Sequence, residues 1–336
     1  MQYALLIHGP FNDNWLEKIQ KQINKFQHKF RQIILVSYFD DLNLYKEKIE
    51  KLKLNNIKIV TVKDLINPSF FNINRQILCV NSGLKEINDD FYVFKLRVDQ
   101  AVDFNKVVKF IDENKIITTN CYSRIDRPYH PSDMFLAGKA SLLKEYYSLP
   151  FENKTHLMIE LENVDLCKKN PELTYVPIAP ESMLCRNFLQ KKGWEIKNSK
   201  MDSLNALKKY FIILNSWNID FRSKKIRATK FWKNSLILPH YFRALPFENG
   251  PIENARCFMQ HDLIGENPTL KDLAFLVLSK FIWLFWKNNL ANPLNKIGFK
   301  DKNQNRKRRR EILKILTYFL VHKEIKRLNE KIKIGS

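Results

Sequence analysis

The first hundred residues alternate between short apolar runs and longer amphipathic segments. Four runs have the length and composition of strands, namely residues 3–8, 33–39, 57–62 and 92–98. Residues 33–39 are continuously apolar, which is typical of a parallel strand that is covered on both faces. Three segments between them place apolar side chains at helical spacing, namely residues 14–30, 43–54 and 72–84. This β-α-β-α-β order predicts a doubly wound, mainly parallel α/β sheet with right-handed crossovers.

Polar and loop-forming residues follow the first and the fourth of these apolar runs. Gly9 and Pro10 come directly after the first run, and Asp99 comes directly after the fourth. Ligands of open α/β sheets bind at the carboxyl ends of the strands. We therefore expect these residues to lie on one rim of the sheet and to take part in a ligand site.

The character of the chain changes after residue 262. Residues 273–286 are strongly apolar, but they number only 14 and include Lys280, whereas a membrane-spanning helix needs about 20 apolar residues. Residues 300–310 are polar and basic, and residues 311–334 carry an apolar stripe at helical spacing. The sequence thus predicts an α/β domain at 1–262 and a helical, basic region at 263–334.

The positive charge of the chain is concentrated in that second region. The formal net charge is +22, and residues 287–333 contain 15 basic and 4 acidic residues, a net charge of +11. Such a block indicates an anionic partner, which could be membrane lipid, nucleic acid or an acidic glycan. Apolar stripes beside basic residues favour an anionic membrane surface, contacted through residues 273–334. The alternative is an ordinary helical subdomain that packs on the α/β domain.

Two further features bear on compartment and on class. The five cysteines are widely spaced and form no CxxC pair, so they indicate neither a zinc site nor a disulfide framework. The opening residues enter a strand without the charged segment and cleavage site of a signal peptide. We expect a cytoplasmic protein. No nucleic-acid-binding motif accompanies the charge, so we expect no nucleic-acid partner.

Four segments together resemble the WavE lipopolysaccharide-synthesis family, and they span about residues 3–190. They are LLIHGPF (5–11), NINRQILCVNSGLKEINDDFYVFKLRVDQ (72–100), YSRIDRPYHPSDMFLAGKASLL (122–143) and APESMLCRNFL (179–189). The second is the most specific, with its Asn-x-Asn-Arg-Gln helix and its Lys-x-Arg-x-Asp strand end. His8 and Ser182 stand where that family has glutamines.

The resemblance implies a GT-A-like fold, with a mixed, mainly parallel sheet flanked by helices. It also implies a glycosyltransferase that moves a sugar from a nucleotide-diphosphate sugar to a glycan or lipid-linked acceptor in lipopolysaccharide or capsule biosynthesis. UDP-hexose is the commonest donor for such folds. The expected location is the inner face of the bacterial inner membrane. Two alternatives remain open, a non-catalytic membrane-associated scaffold and a basic nucleic-acid-binding protein.

The residues expected to bind the nucleotide sugar are His8, Gly9, Pro10, Asn74, Arg75, Arg97 and Asp99. Asp99 is also the candidate ligand of a divalent cation, Mn²⁺ or Mg²⁺, which would neutralise the leaving diphosphate. Lys95 shares the strand face of Arg97, but Arg97 is nearer the strand end and is preferred. The alternatives are a structural ion pair for Arg97 and Asp99, and a solvated helix face for Asn74 and Arg75.

Two carboxylates are candidates for the base that deprotonates the acceptor hydroxyl. Glu181 follows Pro180 at the expected start of a helix and is the first choice by resemblance, with inversion of the sugar assumed. Its alternative role is stabilisation of that helix start. Asp133 is the second choice, and it could instead orient the acceptor or cap a helix. His240 or His261 could add a metal ligand, although a structural histidine is the commoner case.

Overall fold

The computed structural model describes residues 1–11, 13–53, 57–121, 123–124, 127–154, 158, 162, 179–216 and 218–223. The domain boundary at 262, the basic region 263–334 and the histidines His240 and His261 lie outside these residues. Within the described ranges, no helix combines the length and the hydrophobicity needed to cross a membrane.

The first half of the chain forms the elements that its periodicity predicts. They are β1 (Tyr3–His8), α1 (Asp13–Phe26), β2 (Gln32–Tyr38), α2 (Phe39–Leu44), α3 (Lys46–Lys53), β3 (Ile57–Val62), α4 (Ile73–Leu84) and β4 (Tyr92–Arg97). One expectation is wrong, because residues 43–54 do not form a single helix. The helix is divided at Tyr45, whose φ of −111° and ψ of 22° depart from helical geometry.

The remaining elements are shorter and complete the sheet. They are β5 (Gln100–Ala101), α5 (Phe104–Val107), β6 (Ile116–Thr119), β7 (Leu136–Lys139), α6 (Ala140–Tyr146), α7 (Pro180–Lys191), α8 (Lys200–Tyr210), β8 (Phe211–Leu214) and β9 (Arg222–Ser223). The main sheet has the order β3-β2-β1-β4-β7-β6-β8, and β5 pairs with β9 separately. Strand β7 is antiparallel to both neighbours, and the other pairings of the main sheet are parallel. The expected mixed, mainly parallel sheet flanked by helices is confirmed.

The sheet separates two hydrophobic cores, because successive side chains of a strand point to opposite faces. On β1, Leu6 belongs to the core that includes residues of α4, α6, α7 and α8. Its neighbours Leu5 and Ile7 belong to the opposite core, with residues of α1 and α5. Lys95 pairs with Leu6, and Arg97 pairs with His8. The polar residues at the end of β4 therefore point to the face that carries α4, α6 and α7.

Helix α4 lies very close to the middle of the sheet at Gly83. A Cβ atom placed on Gly83 would be 2.3 Å from Leu6 Cδ1 and 2.8 Å from Val36 Cγ2. Both distances are well below van der Waals contact, and both partners are fully buried. The missing side chain of Gly83 therefore permits the contact of α4 with β1 and β2.

We predict that Gly83→Ala lowers the free energy of unfolding. Overpacking of a filled core costs about 1–3 kcal/mol. With a contact as short as 2.3 Å we expect the upper part of this range, which exceeds the gain of about 1 kcal/mol that alanine brings to a helix. Chemical denaturation measures the difference. Gly138→Ala is the control, since its Cβ would lie no closer than 3.6 Å to a neighbour. A Gly83→Ala protein as stable as the control would contradict the proposed packing.

Candidate functional site

The carboxyl ends of β1 and β4 form one rim of the sheet. His8 and Arg97 are register partners at this rim, and the Val98 amide donates to the His8 carbonyl at 3.0 Å. The Gly9 amide donates to the Val36 carbonyl at 3.1 Å. The structure thus places Gly9 and Asp99 on the same rim, as the strand order predicts.

The loop after β1 is held by the end of β2. Gly9 has a φ of +123°, a conformation that favours glycine. Its carbonyl accepts a hydrogen bond of 2.9 Å from Ser37 Oγ. The Phe11 amide donates to Asp41 Oδ2 at 3.2 Å, and Ser37 Oγ lies 3.3 Å from the same oxygen. These contacts give the Gly9-Pro10 turn a defined position beside the end of β4.

Arg97 and Asp99 form the ion pair that was one of the two interpretations of this segment. Arg97 Nε lies 3.0 Å from Asp99 Oδ1, and Nη2 lies 3.4 Å from Oδ2. The Asp99 side chain is 4% exposed and that of Arg97 is 29% exposed. The buried carboxylate therefore orients a guanidinium that is still accessible at the rim. Donor binding by these two residues stays a prediction.

Lys95 is the functional candidate that the sequence analysis passed over. It is fully buried, and its ammonium donates to the backbone carbonyl of Asp133. Burial lowers the pKa of Lys95 to about 7, and the carboxylates of Asp133, Asp99 and Glu181 act in the opposite direction. One buried lysine is thus within electrostatic reach of the three expected carboxylates. The signal for it was a lysine inside an otherwise apolar strand.

His8 contributes a neutral ring to the same rim. Burial lowers its pKa well below the usual value, and the charges of Lys95 and Arg97 lower it further. The imidazole is therefore neutral near pH 7. Its Nε2 has no hydrogen-bond partner in the part of the chain that the structure describes. Buried polar atoms in proteins rarely lack a hydrogen-bond partner, so this nitrogen marks His8 as a functional candidate.

The two candidates for the base come from helix α7 and from the turn before β7. Glu181 is the second residue of α7, and its Oε2 is 3.7 Å from Nε2 of the buried His130. Asp133 lies in the turn before β7. The helix-cap interpretation of Asp133 is wrong, because a strand follows it rather than a helix. Neither His130 nor its proximity to Glu181 was anticipated from the sequence.

Asn74 and Arg75 contact loops rather than the Lys95 cluster. Asn74 is 2% exposed, so a solvated helix face is wrong for this residue. Its amide donates to the Glu152 carbonyl at 2.8 Å and accepts from the Glu152 amide at 2.7 Å. Arg75 makes a bidentate pair with Asp64 at 2.7 and 2.6 Å, which lowers the pKa of that carboxyl. Their expected contact with a nucleotide sugar stays a prediction.

The described residues do not by themselves fit a divalent cation. Both carboxylate oxygens of Asp99 face the Arg97 guanidinium. No group of three or more His, Cys, Asp or Glu side chains in the described ranges could hold a metal ion. The expected Mn²⁺ or Mg²⁺ at Asp99 stays a prediction that requires ligands from elsewhere, and His240 and His261 lie outside the described residues.

Comparison with known proteins gives likeness in structure only. No family model matches the chain, and no curated protein matches it by sequence. It is similar to S. aureus TarS 1-349 in complex with UDP-GlcNAc (14% identity, 43% of this chain and 47% of that chain, TM-score 0.31). It is also similar to the glycosyltransferase GlyE of Streptococcus pneumoniae (16% identity, 64% of this chain and 46% of that chain, TM-score 0.32).

A third similar structure is glucosyl-3-phosphoglycerate synthase from Mycobacterium tuberculosis, in complex with Mn²⁺, uridine diphosphate and phosphoglyceric acid (12% identity, 58% of this chain and 80% of that chain, TM-score 0.33). The matched region spans about half the length of the TarS and GlyE chains, at 47% and 46%. Likenesses of this extent place the chain in no family.

We predict that Lys95→Met changes the pH dependence of stability. Because the pKa of Lys95 is about 7 in the folded protein and higher in the unfolded chain, the unfolded state binds more protons above pH 7. The free energy of unfolding of the wild type should therefore rise between pH 7 and 9. In Lys95→Met this rise should be largely lost. Chemical denaturation at both pH values measures it.

Lys85→Met is the matched control, since Lys85 is exposed. It should retain the wild-type rise in stability. The same rise in Lys95→Met as in the wild type would show that Lys95 is not buried in its uncharged form above pH 7.

Proposed function

We propose that this protein is a glycosyltransferase that uses a nucleotide-diphosphate sugar. The observation that carries the proposal is the cluster of His8, Lys95, Arg97 and Asp99 at the carboxyl ends of two neighbouring parallel strands, with Asp133 and Glu181 around it. This position in an open α/β sheet is where ligands bind. The resemblance of four sequence segments to the WavE family supports the same conclusion.

The donor lies at the rim, with its diphosphate at Arg97. A guanidinium presents a planar set of donors that matches phosphate oxygens, and Asp99 fixes its orientation. When it is protonated, the buried Lys95 adds a positive charge on the same strand face, in surroundings where screening by water is weak. Positive charge that is already in place stabilises the diphosphate as it leaves. A polar atom of the donor would supply a partner for Nε2 of His8, which has none among the described residues.

Transfer requires removal of a proton from the acceptor hydroxyl. As the acceptor oxygen bonds to the anomeric carbon, the bond from that carbon to the diphosphate breaks and its electron pair leaves with the phosphate. Glu181 takes the hydroxyl proton as general base, and Asp133 orients the acceptor. A base on the face opposite the leaving group gives inversion at the anomeric carbon.

The pathway and the location belong to the same proposal. We propose a UDP-hexose as the donor and a glycan or lipid-linked acceptor, in lipopolysaccharide or capsule biosynthesis. The basic region 263–334 would bind anionic lipid at the inner face of the bacterial inner membrane and bring the active site to its acceptor. The support for this is the WavE resemblance and the net charge of +11 in residues 287–333.

We predict that one class of nucleotide or nucleotide sugar raises the thermal unfolding temperature. A ligand at 100 times its dissociation constant stabilises a protein by about 2.7 kcal/mol. The measurement is a thermal-shift screen of nucleotides and nucleotide sugars, each with and without Mn²⁺ or Mg²⁺. Asp99→Ala should abolish the shift, because it releases the Arg97 guanidinium and removes the carboxylate from the rim.

Asp89→Ala is the matched control, since Asp89 is an exposed aspartate that pairs with Lys144 away from the rim. It should keep the full shift. A well-folded wild type that responds to no nucleotide would overturn the transferase proposal and favour the non-catalytic scaffold.

A further inference from the structure

We propose that His130 is a positioning residue for Glu181, which it holds in the orientation that a general base requires. This inference rests on the proposed function and adds a residue to it. Position 130 was not among the site residues expected from the sequence.

The geometry of the pair is the first observation. His130 Nε2 lies 3.7 Å from Glu181 Oε2, and the His130 side chain is 2% exposed while that of Glu181 is 19% exposed. The carboxylate therefore faces the protein interior with one oxygen and remains accessible to solvent. Hydrogen bonds of catalytic groups are often longer before substrate binds. A movement of less than about 1 Å would bring this pair to hydrogen-bond distance.

The loop that carries His130 is fixed by helices α7 and α8. Tyr129 has a φ of +53°, a conformation that is costly for an aromatic residue and persists only where surrounding contacts impose it. Its amide donates to Ser203 Oγ at 2.7 Å, and its hydroxyl donates to Asp202, both on α8. Ser182, the residue after Glu181, donates to the Pro128 carbonyl at 3.2 Å.

The other side of the loop is fixed as well. The Arg124 amide donates to the His130 carbonyl at 3.0 Å, and Ser123 Oγ accepts from the Ser132 amide at 2.8 Å. The backbone on both sides of His130 is thus held, and the loop is tied to the first turn of α7. A ring presented in this way can restrict the rotation of the Glu181 side chain.

The chemical consequence concerns the two oxygens of Glu181. With a proton on Nε2, His130 donates to Oε2, and we assign Oε1 to the acceptor hydroxyl. When the acceptor oxygen bonds to the anomeric carbon and the diphosphate leaves, the hydroxyl proton moves to Oε1. A carboxylate held in one rotamer reaches this geometry more often, which raises kcat without a contact between His130 and the donor.

Other charged and titratable groups also act on this carboxylate and must be kept constant in any test. Among the described residues they include Lys95 on β4 and Tyr146 and Tyr147 at the end of α6, and Asp133, Arg97 and Asp99 act on the same lysine. None of these is changed by a substitution at position 130. Because His130→Gln restores a donor that can reach Oε2, the difference between His130→Leu and His130→Gln reports on the pair itself.

The experiment compares His130→Leu, His130→Gln and the control His28→Asn, whose histidine is exposed on a short helical turn after α1. Calorimetry measures binding of UDP-glucose, UDP-N-acetylglucosamine and GDP-mannose. Release of the nucleoside diphosphate, with water or an oligosaccharide as acceptor, gives kcat as a function of pH. Thermal unfolding shows that each variant is folded.

We expect His130→Leu to lower kcat by about tenfold to a hundredfold with donor affinity unchanged, since a positioned general base contributes about 10²–10⁴-fold. The acidic limb of its pH profile should move to higher pH, because a hydrogen bond to a carboxylate favours the charged form. His130→Gln, whose amide can donate to the same oxygen, should recover part of the loss. His28→Asn should match the wild type.

Two results would overturn the inference, and they are distinguishable. Donor binding and turnover in the wild type, with an unchanged kcat and pH profile in His130→Leu, would refute the role of His130 and leave the transferase proposal intact. A wild type that binds none of the donors and releases no nucleoside diphosphate would refute the proposed function, and the role of His130 with it.

Discussion

A charged ammonium in the interior of a sheet is costly, and the arrangement of this rim follows from how the cost of Lys95 is offset. Its surroundings supply a backbone carbonyl at Asp133 and the carboxylates of Asp133, Asp99 and Glu181. Even so, burial dominates and the pKa of Lys95 falls to about 7. The protonation of Lys95 therefore depends on its burial and on the three carboxylates together.

The mixed sheet explains how residues from distant parts of the chain reach this rim. Strand β4 lies between β1, which is parallel to it, and β7, which is antiparallel to it. The carboxyl end of β1 and the amino end of β7 therefore lie at the same edge of the sheet as the carboxyl end of β4. The carboxyl end of β1 brings His8 and Gly9. The amino end of β7 pairs Leu136 with Lys95, so the turn that contains Asp133 lies just beyond the end of β4. Helix α7, which packs on α6, then carries Glu181 to the same face.

Local periodicity was sufficient for β1 to β4 and for α1 and α4, but it did not reveal the break at Tyr45 and was insufficient for the second half of the sheet. Strands β6 to β9 have four residues or fewer, too short for a periodic signal, and the antiparallel pairing of β7 depends on distant partners. The alternation of side chains along β4 placed Lys95 and Arg97 on one face, but it did not show how deeply each side chain is buried. The sequence analysis therefore preferred Arg97 to the buried Lys95. The approach of His130 to Glu181 depends on contacts of the loop with α7 and α8, which no local pattern encodes.

Because the charge of Lys95 depends on the nearby carboxylates, a substitution of any of them has more than one effect. Removal of Asp99, Asp133 or Glu181 leaves Lys95 with less compensation, so an alanine at any of these positions changes the protonation of the lysine as well as the contact it deletes. An inactive alanine variant is therefore compatible with a catalytic and with a purely electrostatic role. Asparagine or glutamine retains shape and hydrogen bonding but removes the charge. The measurement of kcat is therefore made at a pH where Lys95 keeps its charge. A change in kcat of such a variant at that pH assigns the carboxylate to the chemistry.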